Sequence, residues 1–259
     1  MFLTAILIFL FGACIGSFLN VIICRVPERK SIIRNRSHCP QCKEFIKWYD
    51  LLPILSFFIL RGRCRKCKKK ISWQYPLVEF FTAMAFVFIA WHFDFVLANP
   101  FLYRDLIFVA TLIIVFVTDW RFYLILDAVI WPMIVFSLIF NIFFFSNSEN
   151  ILYHVMMFVG AALLAGGFFL LQYLVSRGKW IGFGDIKLGL LMGAMLGWPS
   201  VLVALYFAYV LGAIMMLILM VLKKKKRKEQ VAFGTFLSVG TVVAIFYGEQ
   251  IITWYLTRL

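Results

Sequence analysis

Stretches of about 20 consecutive apolar residues recur from one end of this chain to the other, each long enough to cross a bilayer. Eight fit the pattern, near 2–23, 75–92, 103–118, 128–145, 151–174, 186–197, 200–222 and 233–256. A soluble domain is roughly 45–50% apolar. These 259 residues are 64% hydrophobic and 15% charged, too little polar surface for a soluble protein of this length. The predicted fold class is an all-α polytopic membrane protein of about eight transmembrane helices. The first stretch has no basic region before it and no clear small-residue cleavage site, so 1–24 reads as a retained first helix and not a signal peptide. The sixth stretch is short. Trp198-Pro199-Ser200 breaks it from the seventh, because proline disfavours helix at the residue before it.

The net charge of +14 is concentrated. Residues 25–70 hold 14 of the 26 Lys and Arg against three acids, Glu28, Glu44 and Asp50, and the run 223–228 holds six more. Both clusters abut apolar spans, so they read as positive-inside topology and not as a nucleic-acid surface. With the N-terminus outside, the basic 25–74 loop and the turns at 119–127, 175–185 and 223–232 all fall in the cytoplasm. Counting Lys187 at the inner edge of span six, 24 of the 26 basic residues are then inside, and Arg104 and Arg258 alone are outside. The predicted domains are the first transmembrane helix (1–24), a cytoplasmic loop domain (25–74) and a transmembrane core (75–259).

The 25–74 segment is too short to bury a large core and needs another staple. It contains Cys39-Pro-Gln-Cys42 and Cys64-Arg-Lys-Cys67, two C-x2-C pairs separated by 21 residues. Each pair can hold one metal from a tight knuckle, and four thiolates close a tetrahedral shell. Structural Zn2+ is the expected ion. Disulfides are the main rival and are disfavoured on a reducing side. Cys14 and Cys24 read as small apolar residues.

Aspartate in a transmembrane helix is costly, so it marks a helix end or a function. Asp119 and Asp185 fall at the cytoplasmic ends of spans three and six, at one depth and one face. Two carboxyl groups sharing a site do not both ionise cheaply, so one keeps its proton and the pair supplies an acid and a base. Such a pair can activate water against a peptide carbonyl. Gly182 and Gly184 allow close approach of backbone and substrate, and permit unusual dihedrals. The plainer reading is that both aspartates cap helices, Asp185 at an N-terminus. Asp127 competes as the partner of Asp185 and reads equally well as a cap. Other hydrolytic templates are absent: there is no H-E-x-x-H, no G-x-S-x-G, and His38, His92 and His154 are scattered.

The segments 16–27 (GSFLNVIICRVP), 48–72 (WYDLLPILSFFILRGRCRKCKKKIS), 75–83 (YPLVEFFTA) and 182–198 (GFGDIKLGLLMGAMLGW), with the first cysteine pair, resemble the prepilin peptidase family, the type 4 prepilin leader peptidase/N-methyltransferases. The match covers nearly the whole chain in order. It implies an aspartyl peptidase at the cytoplasmic face of the bacterial inner membrane. Such an enzyme removes a short basic leader from prepilins or pseudopilins after a glycine, then methylates the new N-terminal amine with S-adenosylmethionine. The family's catalytic aspartates map onto Asp119 and Asp185. Leu126 stands where the family commonly has proline before Asp127, and Thr235, in 233–240 (FGTFLSVG), stands where a family FGPFL segment has proline. Asn20 and Glu79 lie in matched segments and are expected to line a substrate or cofactor cleft. The alternative is interhelical hydrogen bonding. No glycine-rich nucleotide fingerprint locates the methyl donor.

The rival functions are a non-enzymatic membrane zinc module acting as an assembly scaffold and a DNA-uptake protein. A scaffold has no need of two aspartates at matched depth. Only Trp48, Tyr49 and Trp73 offer stacking near the basic loop, and no nucleic-acid partner is expected. The topology predicts that a cysteine placed at residue 226 is labelled from the cytoplasmic face alone; labelling from the outer face contradicts it.

Overall fold

The computed structural model describes residues 1–34, 36–145, 150–222 and 232–258. They form α1 (Phe2–Arg25), α2 (Leu55–Ile59), α3 (Gln74–His92), α4 (Pro100–Phe122), α5 (Asp127–Phe145), α6 (Ile151–Ser176), α7 (Phe183–Leu196), α8 (Ser200–Val221) and α9 (Phe233–Leu256), with one 3-10 turn at Trp48–Leu51. Among the described residues no strand forms, and only the isolated bridges His38–Phe45 and Arg63–Lys70 pair in β fashion. The all-α membrane architecture expected from the sequence is the one found. Among the described residues seven helices are long and apolar enough to cross a membrane. The expected sixth span is α7, a helix of 14 residues, about 21 Å long against a hydrocarbon core of about 30 Å. The basic run at 223–228 lies outside the described residues.

The chain divides within α4 into two compact units, Met1–Ile114 and Val115–Leu259. In the first, α1 and α3 run antiparallel. Gly12 faces Ala83 and Phe86, Gly16 faces Glu79 and Thr82, and Asn20 Nδ2 donates to the Tyr75 carbonyl at 3.1 Å. A Cβ on Gly16 would stand 2.7 Å from the Glu79 Cα. The pair therefore closes backbone to backbone, as small residues allow between membrane helices. Ala13, Leu19 and Ile23 are buried with them, whereas Phe2, Leu7 and Phe11 are exposed and apolar, the surface that lipid covers.

In the second unit α6 packs on α7 and α8 on α9, and α7 also meets α5 and α9. Leu188, Leu191, Met192 and Ala194 of α7 have no exposed surface. A Cβ on Gly193 would lie 2.3 Å from the Ala161 carbonyl, and one on Gly240 would lie 2.4 Å from the Ala204 carbonyl, so both helix pairs are sealed through glycine. The break at 198–200 is present: α7 ends at Gly197 with φ +68, and α8 begins at Ser200. The free carbonyls at the end of α7 are met by buried Asn141, whose Nδ2 donates to Ala194 O at 3.0 Å. An unmet carbonyl in lipid costs several kcal/mol, so a short helix needs protein at its ends.

Candidate active site and metal centre

Three chain segments of the second unit meet at Ile125, just after α4. A Cβ on Gly184 would lie 3.1 Å from the Ile125 side chain, and a Cβ on Gly234 would lie 3.2 Å from it. The N-termini of α7 and α9 thus converge on the segment that leaves α4. Asp185 is the third residue of α7, and its Oδ2 accepts the Gly182 N–H at 3.0 Å. Asp119 sits in the last turns of α4, and its Oδ2 accepts the Thr235 N–H at 3.0 Å. The Gly234 N–H bonds the same carboxylate. Both aspartates are buried, at 6% and 8% exposure. They are close enough for the charge of Asp119 to act on Asp185. The geometry therefore brings together the two carboxyl groups that the topology placed at one depth, and it also gives Asp185 the helix-capping bond of the plainer reading.

Asp127 goes elsewhere. Its Oδ1 accepts Lys187 Nζ at 2.5 Å, and its side chain is 57% exposed. It opens α5 and forms an ion pair with α7 in place of a second carboxylate contact. The glycines also differ from expectation in part. Gly182 has φ −77 and extended backbone, and Gly184 is an ordinary helical residue, so neither uses an unusual dihedral. Gly184 is needed for close approach to Ile125, whereas a Cβ on Gly182 would meet only Asp185 Oδ2 at 3.6 Å. The backbone of Gly234 and Thr235 was not foreseen as part of this site. Its signal was the small-residue start of the last span.

In the first unit the Sγ atoms of Cys39, Cys42, Cys64 and Cys67 lie within 4.8 Å of one another. None is in a disulfide. Cys39 and Cys67 Sγ are 3.9 Å apart, close to the roughly 3.8 Å edge of a tetrahedron with metal–sulfur bonds of about 2.3 Å. The two knuckles repeat one geometry. Lys43 N–H bonds Cys39 O and Cys39 N–H bonds Glu44 O; Lys68 N–H bonds Cys64 O and Cys64 N–H bonds Lys69 O. Lys43 and Lys68 both take left-handed backbone, φ +56 and +57. The backbone N–H groups of Cys67 and then Lys66 bond Cys64 and hold its thiol down at about 7, whereas Cys42, despite the backbone bond from Glu44, is pushed up to about 11 by burial and by the thiols of Cys39, Cys67 and Cys64; a metal bound there would displace that proton. Side chains lock the knuckles together: Lys66 pairs with Glu44 and Lys69 Nζ donates to Gln41 at 2.9 Å. Arg65 clamps Asp50 through two hydrogen bonds and keeps that carboxyl below its usual range. The donor set and spacing fit a metal ion closed by four sulfurs.

Asn20 and Glu79 hold the foot of this loop. Gln74 Nε2 donates to Asn20 Oδ1 at 3.4 Å. Glu79 is buried, and its Oε2 accepts the Ile54 N–H at 2.7 Å. Ser17 donates to the same carboxylate.

Comparison with known proteins agrees with this architecture. Residues 10–93 match the bacterial peptidase A24 N-terminal domain and residues 106–217 match the type IV leader peptidase family. A protein of Bacillus subtilis strain 168, named prepilin leader peptidase/N-methyltransferase, is 32% identical over 96% of this chain and 97% of its own. Proteins of the same name from Legionella pneumophila (31% identical, 95% of this chain and 92% of theirs) and Myxococcus xanthus (35%, 82% and 62%) are also similar. No solved structure matches. The chain belongs to the type IV leader peptidase family.

Metal analysis of the purified protein should return about one ion per chain. The Cys64→Ser/Cys67→Ser variant should lose it, and the 25–74 loop should become sensitive to protease, because a structural metal of this kind contributes on the order of 10 kcal/mol to folding. A variant that kept both the metal and the protease resistance would contradict the assignment.

Proposed function

We propose that this chain is a membrane aspartyl endopeptidase of the bacterial inner membrane that removes the leader from type IV prepilin-like proteins at the cytoplasmic face. We further propose that it N-methylates the new terminus with S-adenosylmethionine. The observation that carries the reading is the burial of Asp119 and Asp185 at one locus, in a chain whose relatives are named prepilin leader peptidase/N-methyltransferase. In this reading one carboxylate takes a proton from a water molecule, and the oxygen of that water attacks the scissile carbonyl. The other, protonated carboxyl donates to the carbonyl oxygen. As the tetrahedral species collapses, the C–N bond breaks, and the proton held by the first carboxyl passes to the leaving amine.

The remaining assignments follow the same reading. The N-terminus is outside, 1–24 is the first transmembrane helix, 25–74 is a cytoplasmic zinc loop and 75–259 is the peptidase core. Zinc bound to Cys39, Cys42, Cys64 and Cys67 is structural, since four thiolates leave no open coordination position. Asn20 and Glu79 border the cleft, tying the loop to α1 and α3 where substrate would pass. Gly182 and Gly184 support Asp185. The methyl donor follows from the N-methyltransferase activity that the relatives' names carry. The substrate is a prepilin or pseudopilin.

The test is to incubate the purified protein with a prepilin and labelled S-adenosylmethionine and read leader loss and methyl transfer by mass spectrometry. Asp119→Asn and Asp185→Asn should each lower cleavage on the order of a thousandfold or more, and by similar factors, because groups acting as a unit are not additive. Both should keep metal and still methylate pre-cleaved pilin. Asp127→Asn should stay within about tenfold of wild type, as expected of a partly exposed ion pair. Near-normal cleavage by Asp119→Asn with loss in Asp127→Asn would make Asp127 the partner of Asp185. In the same assay Glu79→Gln should slow cleavage or methylation; a change in neither removes the cleft role.

A further inference from the structure

The cysteine loop has a feature that neither proposed reaction uses. A hollow of about 510 Å³ opens beside the second knuckle, lined by Ile59, Leu60, Arg61, Arg63, Arg65 and Lys68. Arg65 is occupied by Asp50. Arg61, Arg63 and Lys68 are exposed and form no ion pair among the described residues. Three uncompensated cations around one cavity repel one another, and they favour an anion between them.

The depth of the hollow is set by α2. Ile54, the residue before α2, donates its N–H to Glu79 Oε2 at 2.7 Å. Glu79 lies five residues along α3 from Gln74, roughly 7–8 Å along the axis. Since α3 is long and apolar enough to cross a membrane, this bond sets the start of α2 beside the apolar part of α3, past its polar first turn. There Phe57 turns in against Trp73, with ring centroids 4.8 Å apart. Leu55, Phe58 and Ile59 point away from protein, at 59%, 61% and 69% exposure. Water is a poor neighbour for those three side chains, and acyl chain is a good one. The cations follow directly after them in the chain, where lipid phosphates would lie once those side chains face acyl chain.

We propose that this hollow is a headgroup site for an anionic phospholipid. The phosphodiester sits among Arg61, Arg63 and Lys68, and its acyl chains lie along Leu55, Phe58 and Ile59. Guanidinium groups suit phosphate because their N–H forks match its oxygens. The apolar rim distinguishes a lipid from a free phosphate or a nucleic-acid backbone, which have no use for it. The proposal does not depend on the peptidase reading.

The experiment is native mass spectrometry of the full-length, metal-loaded protein titrated with phosphatidylglycerol or with phosphatidylcholine of the same acyl chains. Phosphatidylglycerol should be retained at least tenfold better. The Arg61→Gln/Arg63→Gln/Lys68→Gln variant, at unchanged metal content, should lose that preference, because each cation near an anionic surface contributes roughly fivefold. Removing the same charge elsewhere in the loop, with Arg29→Gln/Lys30→Gln/Arg34→Gln, should leave it intact. If the first triple variant loses its metal, Arg61→Gln alone should still lower retention roughly fivefold. Equal retention of the two lipids overturns the proposal, as does an equal fall in both triple variants. So does displacement of the lipid by millimolar inorganic phosphate, or binding of a single-stranded oligonucleotide through the same three residues without lipid preference.

Discussion

A buried carboxylate in apolar surroundings persists only where polar groups face it, and in this protein the facing groups are the first N–H bonds of two helices. Asp119 is poorly placed on its own helix. It sits in the last turns of α4, where the carbonyl ends of the helix disfavour negative charge by a few tenths of a kcal/mol to about 1 kcal/mol. The N-terminus of α9 offsets this, with the N–H groups of Gly234 and Thr235 both bonded to the carboxylate. Asp185 needs no outside helper, since it is the third residue of α7 and bonds the N–H of Gly182 in its own first turn. The meeting of α4, α7 and α9 is therefore an electrostatic requirement as well as a packing result.

That requirement accounts for the length of α7. Its start is fixed at the depth of the carboxylates and its end at Gly197, leaving 14 residues between them. A helix of that length facing lipid would leave its terminal carbonyls without partners. Here α5, α6, α8 and α9 all contact it, and Asn141 supplies the missing donor. The glycines along α7 let α6 close on it without displacing its ends.

Much of this was legible in the sequence, for physical reasons. Span positions follow from hydrocarbon length, the four thiolates from knuckle spacing, and the shared depth of Asp119 and Asp185 from the asymmetry of basic residues. What was not legible depends on pairs distant in the chain. Thr235 meets Asp119 across 116 residues through a backbone N–H, and a backbone donor leaves no trace in residue type. Lys187 reads in sequence only as a topological charge, although its ammonium pairs with Asp127 across 60 residues. Glu79 carried a polar signal within a span, yet its partner is the Ile54 N–H in a left-handed turn at φ +61, which no periodicity announces. The dihedral freedom expected of Gly182 and Gly184 is not used, because glycine has two uses and only close approach is exercised, at Gly184 against Ile125.

The start of α9 separates what the site requires from what it tolerates. A Cβ on Gly234 would come within 2.9 Å of Asp119 Oδ2, so any side chain there pushes against the carboxylate itself. Thr235 stands where the FGPFL segment that 233–240 resembles has proline. A proline has no N–H and cannot make the 3.0 Å bond that Thr235 gives Asp119. What proline does supply at the start of a helix is a fixed φ. Thr235 reaches a similar end by another route: its Oγ1 donates to the Ala232 carbonyl at 2.6 Å and ties the first turn of α9 to the residue that precedes it. The threonine thus keeps the helix start ordered and adds a donor. A proline at 235 would leave the Gly234 N–H still aimed at the carboxylate, and it is the glycine, not the residue after it, that the geometry of Asp119 makes indispensable.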